Sequence, residues 1–294
     1  MSDQTDNRLF LLDAFALIYR AYFAFARNPL INSKGQNVSA ISGFTTTLFD
    51  LLTREKPTHI AVVFDAPGDT HRSAEFDFYK ANREEMPEDI GTALPYIRSI
   101  IDAYNIPMVQ YAGYEADDII GTLAKKAEQN GFKTYMVTPD KDYGQLVSDN
   151  IFMYVPARQS KPLQVMGLKE VCEKWDIERA DQVIDILGMM GDAVDNIPGI
   201  PGVGEKTAIK LIKQYGSMEQ MLEKADEIKG KLGEKIRDNA QQGIISKQLA
   251  TIILDVPVEF DEAAYKLSEP NTKKLSEIFR ELEFRTLGKR ILGE

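Results

Sequence analysis

Four short apolar runs in the first half of the chain alternate with segments of helical spacing, and this alternation strongly constrains the fold. The apolar runs are LFLL (9–12), IAVVF (60–64), TYMV (134–137) and IFMYV (151–155). The helical segments are 41–53, 92–104, 115–129 and 168–175. Such alternation is typical of an α/β fold, so we predict a largely parallel central sheet flanked by helices.

The pattern changes near residue 180, where the strand-like runs end. Short helical segments separated by Gly-rich turns follow at 181–190, 205–215, 217–225, 231–240 and 245–251. We therefore predict an α/β core over residues 1–180 and a helical region over residues 181–294. The sequence shows no long linker, repeat or low-complexity tract between them.

Composition narrows the class of protein further. The apolar fraction of 44% is that of a globular protein, and charged residues interrupt the most apolar early stretch, so we expect no membrane segment. The single cysteine, Cys172, excludes an internal disulfide framework and predicts a reducing, cytoplasmic location. The net charge of −10 argues against a uniformly basic nucleic-acid binder, although residues 196–250 carry nine Lys/Arg against seven Asp/Glu.

Acidic residues follow three of the predicted strands at the point where each strand ends. Asp13 comes directly after LFLL, Asp65 after IAVVF, and Asp140 and Asp142 shortly after TYMV. Ligands of open α/β sheets bind outside the carboxyl ends of the strands. Each Asp alone is typical of a turn, but three strands that deliver acids to one edge predict a site there.

Two further acidic groups lie close to helical patterns. Glu115, Asp117 and Asp118 stand together in YEADDIIG, where helical geometry allows all three to face one side; helix capping alone is the alternative interpretation. Asp192 and Asp195 in GDAVDN are three residues apart, which would place them on one helix face.

A cluster of this many carboxylates requires protons or cations. Two unit charges 4 Å apart repel by about 4 kcal/mol at an effective dielectric constant near 20. Oxygen ligands, with only His59 and His71 as nitrogen donors, favour Mg²⁺ or Mn²⁺. Two such ions roughly 3.5–4 Å apart would activate water and stabilise a leaving oxygen, which predicts a metal-dependent phosphodiesterase.

Two other segments stand out. Segment 66–90 is polar, has weak periodicity and carries Arg72, Lys80 and Arg83, so we interpret it as a lid or binding loop, with an ordinary surface excursion as the alternative. The Gly-rich segment 196–212 is not a P-loop, because Glu205 stands where that motif requires Lys.

We instead interpret the Gly-rich segment as a helix–turn–helix that presents backbone N–H groups to a phosphate. A glycine-rich connection without a ligand is the alternative. Contacts to a phosphate carry no base identity, so binding there would be independent of sequence. The residues predicted to make these contacts are Gly202, Gly204, Lys206 and Lys210.

Five linked motifs together resemble the 5′ nuclease (flap endonuclease) family, in particular the 5′→3′ exonuclease domain of bacterial DNA polymerase I. They occur in the family's order between about residues 9 and 250, and the later LEFRTLGKR resembles the end of that domain. The five motifs are LLDAFALIYRAYFA, VVFDAPGDTHRSAEFDFYKANR, GYEADDIIGTLAKKAE, TPDKDYGQLVSD and GDAVDNIPGIPGVGEKTAIKLI.

The resemblance implies a PIN-like nuclease fold with two or more Mg²⁺ or Mn²⁺ ions. Asp65, Glu115 and Asp117 would lie nearer the first ion, whereas Asp140, Asp142 and Asp195 would lie nearer the second. The full set of implied metal carboxylates is Asp13, Asp65, Glu115, Asp117, Asp118, Asp140, Asp142, Asp192 and Asp195.

The resemblance also implies roles for the basic segments. Segment 66–90 would be the helical arch, in which Arg72, Lys80 and Arg83 act on the scissile phosphate and the single-stranded 5′ end. Arg20 would lie near the same phosphate. The helix–hairpin–helix at about 192–215 would grip the duplex backbone, with K⁺ as a candidate monovalent ion there.

The implied function is a structure-specific 5′ nuclease, with 5′→3′ exonuclease and 5′-flap endonuclease activity, that removes primers and flaps during replication and repair. Its substrates would be DNA with a 5′ flap, nick or 5′ end, including RNA-primed ends. We expect a monomer, with a polymerase domain in a full-length chain as one arrangement. Ala14-Phe15-Ala16 departs from the family's smaller and more polar residues, which would alter how the 5′ end packs.

Three other functions stay open at this point. A PIN-like ribonuclease would share the acidic edge but would lack the helix–hairpin–helix. A DNA-binding module without catalysis would have lost several acids, and none is missing here. A haloacid-dehalogenase-like phosphatase requires D-x-D after its first strand, whereas this chain has Asp13-Ala14-Phe15.

Overall fold

The computed structural model describes residues 7–158 and 161–293, so positions 1–6, 159–160 and 294 of the predicted ranges lie outside it. Six strands form one sheet in the order β3-β2-β1-β4-β5-β6, in which only the β5–β6 pair is antiparallel. The strands are β1 (Arg8–Asp13), β2 (His59–Val63), β3 (Met108–Val109), β4 (Lys133–Val137), β5 (Ile151–Val155) and β6 (Gln164–Met166). The predicted fold class and all four predicted strands are confirmed.

The central strand β1 is apolar from Leu9 to Leu12, between its charged end residues, because the sheet is covered on both faces. Leu9 and Leu11 belong to one hydrophobic core, whereas Phe10 and Leu12 belong to a second core on the other face. Period-two alternation therefore distributes one continuous apolar run between two cores, as in buried parallel sheets.

Helices cover both faces of the sheet, and a 3₁₀ helix (Lys141–Leu146) follows β4. The α-helices of the first part of the chain are α1 (Ala14–Ala24), α2 (Ser39–Glu55), α3 (His71–Glu75), α4 (Glu88–Ala103), α5 (Ala116–Gln129) and α6 (Leu168–Trp175). Segment 66–90 thus contains α3 and the start of α4. A Thr70–Ser73 capping box begins α3.

The second part of the chain is helical, as predicted. Its helices are α7 (Gln182–Met190), α8 (Glu205–Tyr215), α9 (Met218–Glu223), α10 (Gly230–Asp238), α11 (Ala240–Ala250), α12 (Glu262–Tyr265), α13 (Thr272–Glu281) and α14 (Arg285–Leu292). Leu211 of α8 shares a core with Ile119 of α5, whereas Leu275 of α13 joins the opposite core. None of the helices in the described ranges is long and apolar enough to cross a membrane.

Candidate active site

The acids predicted at the strand ends lie where the direction of strand order reverses, between β1 and β4. Asp13 ends β1 and caps α1 by accepting a hydrogen bond from Ala16 N at 3.2 Å. Asp65, after β2, accepts one from Ala116 N at 2.8 Å, which fixes the start of α5 against this edge. Asp140 begins the 3₁₀ helix after β4 and accepts one from Asp142 N. We call this edge, with the start of α5, the acidic edge.

Burial and mutual repulsion disfavour ionisation of the acids at the acidic edge. Burial, with the neighbouring charge of Asp65, raises the pKa of Asp13 to about 7. Burial and the charge of Asp140 raise the pKa of Asp142 to about 8. Burial also raises the pKa of Asp65 and that of Asp117, where Asp118 adds to the effect. The acids of the edge therefore tend to keep their protons unless a cation stabilises the ionised carboxylates.

The three acids of YEADD have different surroundings. Glu115 is the N-cap of α5 and accepts hydrogen bonds from Tyr79 Oη at 3.1 Å and Lys80 Nζ at 2.6 Å. Asp118 is only 1% exposed and lies on the other side of this turn, against α3 and the segment after α11. The expectation that all three carboxylates point to one cation site is therefore not met by Asp118.

The hydrogen bonds of Asp118 explain this difference. Its two oxygens accept bonds from both Arg72 Nη atoms at 2.7 Å, from Glu115 N at 3.1 Å and from Ile253 N at 2.8 Å. These bonds use the four lone-pair positions of a carboxylate, so none is left for a metal ion in this arrangement. The contacts indicate that Asp118 stabilises the fold around the edge.

Arg72 likewise differs from an exposed arch residue. Only 7% of it is exposed, and its guanidinium also donates to Thr251 O at 2.7 Å and lies 3.5 Å from Glu115. A buried guanidinium with this many partners joins α3, α5 and the end of α11 and is not free to bind a phosphate. Lys80 and Arg83, in contrast, reach the acidic edge.

Asp192 and Asp195 lie in a turn and not on one helix face, which corrects the prediction. Helix α7 ends at Met190 because Gly191 adopts a φ of +71°. The turn 192–197 is closed by paired backbone bonds between Asp192 and Ile197. Asp192 Oδ1 accepts bonds from Val194 N and Asp195 N inside it, so the spacing of three reflects a side-chain-capped turn.

Basic side chains join this turn to the acidic edge. Lys80 Nζ lies 2.6 Å from Glu115 and 3.8 Å from Asp195, and Arg83 lies 2.6 Å from Asp195. Lys141 lies 3.1 Å from Asp192; although burial opposes it, this contact lowers the pKa of Asp192. Basic side chains therefore hold the acids of the turn 192–197 near those of the acidic edge.

The donor set fits a hard divalent cation. Asp142 Oδ1 is buried and has no hydrogen-bond partner among the described residues, as expected for an oxygen reserved for a cation. No group of three or more Asp, Glu, His or Cys side chains in residues 7–158 and 161–293 is arranged to hold an ion alone. Mg²⁺ usually keeps several waters and takes one or two carboxylates plus substrate phosphates, so it does not need such a cage.

The Gly-rich turn precedes α8, as predicted. Gly202 adopts a φ of +82°, and Gly204 is the N-cap of α8 with open space where a side chain would begin. Lys206 and Lys210 are exposed, one turn apart on this helix. The first N–H groups of α8 have no partner within the helix, so they can donate hydrogen bonds to a phosphate oxygen.

Arg20 lies at a separate groove of about 910 Å³ between α1, α2 and the β5–β6 connection. Its guanidinium donates to the carbonyls of Pro156 (2.8 Å) and Ala157, and Phe23, Arg27 and Arg158 also line the groove. Arg20 thus fixes the β5–β6 connection through backbone contacts.

The sequence interpretation missed several residues that contact the predicted acids. Tyr143 donates to Asp13 at 2.9 Å, Tyr79 donates to Glu115, and Lys141 pairs with Asp192. Each stands beside a predicted residue inside a quoted motif, which is the only signal in the sequence that marks them. Their partners are distant in the chain, so only the fold reveals the pairs.

Comparisons with known families match both parts of the chain. Residues 8–176 match the 5′-3′ exonuclease N-terminal resolvase-like domain, and residues 178–273 match the 5′-3′ exonuclease C-terminal SAM fold. The resemblance inferred from the five motifs is therefore confirmed.

Relatives and solved structures agree with these matches. The chain is 43% identical over 290 residues to a DNA polymerase I of Bacillus subtilis, covering 98% of this chain and 32% of the relative, so it spans about a third of that relative's length. It is 36% identical over 283 residues to a 5′-3′ exonuclease of Aquifex aeolicus, covering 96% and 94% of the two chains.

A solved structure of the bacteriophage T5 flap endonuclease, a pseudo-enzyme–product complex with DNA and metal ions, has the same fold. Its TM-score is 0.67 at 19% identity, and the match covers 83% of this chain and 88% of that one. Together with the sequence matches over nearly the whole length, these findings show that the chain belongs to the 5′-3′ exonuclease family.

Proposed function

We propose that the chain is a structure-specific 5′ nuclease, acting as a 5′→3′ exonuclease and a 5′-flap endonuclease. The observation that carries the proposal is the acidic edge itself, where buried carboxylates with raised pKa values lie close to the ion pairs that Lys80 and Arg83 form. Family membership supports the same conclusion. Hydrolysis of a phosphodiester needs charge stabilisation of this kind and no protein nucleophile.

Two groups of carboxylates would hold divalent cations, for which we propose Mg²⁺ or Mn²⁺. Asp65, Glu115 and Asp117 would hold one ion, and Asp140, Asp142 and Asp195 a second. Asp13 and Asp192 would orient bound waters at either side. Such ions supply water activation and charge compensation when bound. Asp118 is left out of this proposal because its oxygens are already occupied.

Lys80 and Arg83 would change partners when cations bind. In the described arrangement they neutralise Glu115 and Asp195. A divalent ion on those carboxylates would take over that compensation and leave an ammonium and a guanidinium at the edge. A phosphate is then the natural partner for both groups, so the same pair would orient the scissile phosphate.

The Gly-rich turn would bind the duplex away from the cutting site. Gly202 and Gly204 shape the turn, and Lys206 and Lys210 add positive charge beside it. We propose that it contacts backbone phosphates without regard to sequence, and that K⁺ is the monovalent ion to test there. Arg20 would act near the same DNA indirectly, by fixing the β5–β6 connection.

We propose DNA with a 5′ flap, nick or 5′ end as substrate, RNA-primed ends included, and a monomer as the active unit. The solved relative bound to DNA supports a nucleic-acid substrate. The relatives named DNA polymerase I support action beside a polymerase, in the removal of primers and displaced strands in the cytoplasm.

The test is cleavage of a labelled 5′-flap duplex and a matched single strand, with Mg²⁺ and with EDTA. We expect cutting near the flap junction in Mg²⁺ only, with the single strand largely uncut. Binding of the flap without cleavage in either Mg²⁺ or Mn²⁺ would contradict the proposal and favour a non-catalytic binding module. Equal cutting of both substrates would contradict the structural specificity.

A further inference from the structure

Besides the ion pairs of Lys80 and Arg83 with Asp195, three hydrogen bonds that use no charged side chain join the basic segment 78–83 to the turn 192–197. Lys80 N donates to Asp195 O at 2.9 Å. Asn82 Nδ2 donates to Ala193 O at 2.8 Å, and Asn196 Nδ2 donates to Phe78 O at 2.7 Å. Each segment thus supplies one amide side chain to a backbone carbonyl of the other.

The turn is the fixed side of this junction. A side chain on Gly199 would begin 2.5 Å from Gly191 N, so the two backbone strands that flank the turn cross in contact. Gly199 N donates to Ser246 Oγ at 2.9 Å, and Gly199 O accepts from Gln242 Nε2 at 2.7 Å. The turn is therefore fastened to α11, and Gly199 continues directly into the Gly-rich turn.

The basic segment, in contrast, is held in an unfavourable conformation. Lys80 adopts a φ of +56°, a backbone angle that residues other than Gly and Asn rarely adopt. Such a conformation persists where surrounding contacts impose it. Asn196 also has a φ of +56°, but Asn tolerates this region, so its amide can point across the junction without strain.

The two kinds of contact respond differently to divalent cations. The ion pairs of Lys80 and Arg83 with Glu115 and Asp195 compete directly with cations for the same oxygens. The amide bonds end on the carbonyls of Phe78 and Ala193, which are outside the proposed metal ligands. They therefore hold segment 78–83 in place after the ion pairs have been lost.

We propose that Asn82 and Asn196 are positioning residues that form a neutral latch, which keeps Lys80 and Arg83 at the acidic edge once its carboxylates hold cations. This inference rests on the proposed function. The latch also connects Lys80 and Arg83 to the turn 192–197. That turn leads directly into the Gly-rich turn, for which we propose duplex binding. The turn 192–197 thus links the proposed duplex-binding segment to the segment that places Lys80 and Arg83.

The first test uses trypsin, which cuts after Lys80 and Arg83 and needs no nuclease activity. The variants are Asn82→Ala, Asn196→Gly and the pair; Gly keeps the positive φ while removing the amide. In Mg²⁺ we expect at least a tenfold faster cut at these two sites in the double variant. Asn130→Ala is the matched control, since the exposed Asn130 amide donates to Lys126 O within the same helix end, away from the junction.

Equal trypsin rates in wild type and the double variant in Mg²⁺ would overturn the latch. So would an equal acceleration in the Asn130→Ala control, because the effect would then be general. The amide bonds lie at the surface, so their removal does not open the core; a circular dichroism spectrum and melting curve matching wild type verify this for each variant.

The second test separates positioning from general loss of structure. On the flap duplex we expect Asn82→Ala to lower kcat about tenfold, a loss typical of a misplaced charged group, with KM little changed. In a Lys80→Ala/Arg83→Ala background the same substitution should have almost no effect, because nothing remains to be placed. An equal loss in both backgrounds would overturn the role. If wild type does not cleave, the proposed function fails while the trypsin comparison still decides the latch.

Discussion

The acidic edge and the Gly-rich turn carry opposite charge and are built in different ways. The edge and the adjoining turn 192–197 collect buried or half-buried carboxylates from five separate parts of the chain, and three cationic side chains pair with them. The turn offers backbone N–H groups and two exposed lysines from one continuous segment. In the proposed function, chemistry therefore depends on a few mutually dependent charges, whereas duplex binding depends on contacts that can be lost one at a time.

The largest expected effect is at Asp142. Asp142→Asn keeps the size of the side chain but removes the charge of an oxygen that has no hydrogen-bond partner among the described residues. We expect flap cleavage in Mg²⁺ to fall by about 10³-fold while DNA binding is retained, since a charge-stabilising group is lost. Single-turnover cleavage and a binding titration measure the two effects separately. Asp149→Asn, at an exposed position before β5, is the control; parallel loss of binding and cleavage in Asp142→Asn would argue against a metal role.

Lys80 should give the next largest effect. Lys80→Ala removes one of the two cations that would meet the phosphate, so we expect cleavage to slow by about 10²-fold. Without divalent ions the melting temperature should also fall, because Glu115 loses its 2.6 Å partner, and Mg²⁺ should abolish that difference. Lys125→Ala, which removes an ion pair on the surface of α5, serves as the matched control. Unchanged cleavage in Lys80→Ala would remove the lysine from the mechanism.

The raised pKa values give a pH dependence with a definite sign. The folded chain keeps protons on Asp13, of pKa about 7, and on Asp142, of pKa about 8, that the unfolded chain releases near pH 4. Stability without divalent ions should therefore fall as the pH rises from about 5 to about 8.5. Mg²⁺ binds the deprotonated form, so its stabilising effect should grow over the same window.

Melting curves across this range, with Mg²⁺ and with EDTA, measure both trends. Asp142→Asn should flatten the metal-free curve, since one of the groups with a raised pKa is gone. A metal-free stability that rises steadily with pH over the same window would contradict the crowding of buried acids at the edge.

The smallest expected effect lies in the Gly-rich turn. Lys206→Ala should weaken binding to unrelated duplex sequences by the same factor and reduce the slope of log affinity against log salt by about one unit. Lys213→Ala, at the other end of α8 and paired with Asp176, should leave the slope unchanged. A loss of binding in Lys206→Ala that depended on base sequence would contradict a backbone-binding role. A loss of cleavage as large as that of Asp142→Asn would remove the contrast between the two sites.

Much of the fold could be predicted because the spacing of apolar residues and the residue types at the ends of strands and helices are local signals. The four buried strands and helices α5 and α8 follow from apolar spacing and from Asp or Gly at their ends. Helix α1 was missed because Phe15 and Phe23 make its outer face apolar too, so no polar face marks the period. Strands β3 and β6 have two and three residues, too few to show alternation.

The site was predictable in its members but not in its pairings. Most of the acids could be found because they closely follow a strand or begin a helix, whereas Asp192 and Asp195 were found by their spacing of three. Arg72 and Asp118, 46 positions apart, have no sequence signal that they satisfy one another in a buried pair. Spacing alone also could not separate a helix from the turn that holds Asp192 and Asp195, since Gly191 ends α7 through a backbone angle.

The central claim is that divalent cations replace basic side chains at the acidic edge. A crystal structure of the protein soaked in Mn²⁺, with anomalous data, tests it directly. The account expects anomalous peaks beside Asp65, Glu115 and Asp117 and beside Asp140, Asp142 and Asp195, with Lys80 Nζ moved away from Glu115. A structure without anomalous density at these carboxylates, in which Lys80 still lies 2.6 Å from Glu115, would contradict it.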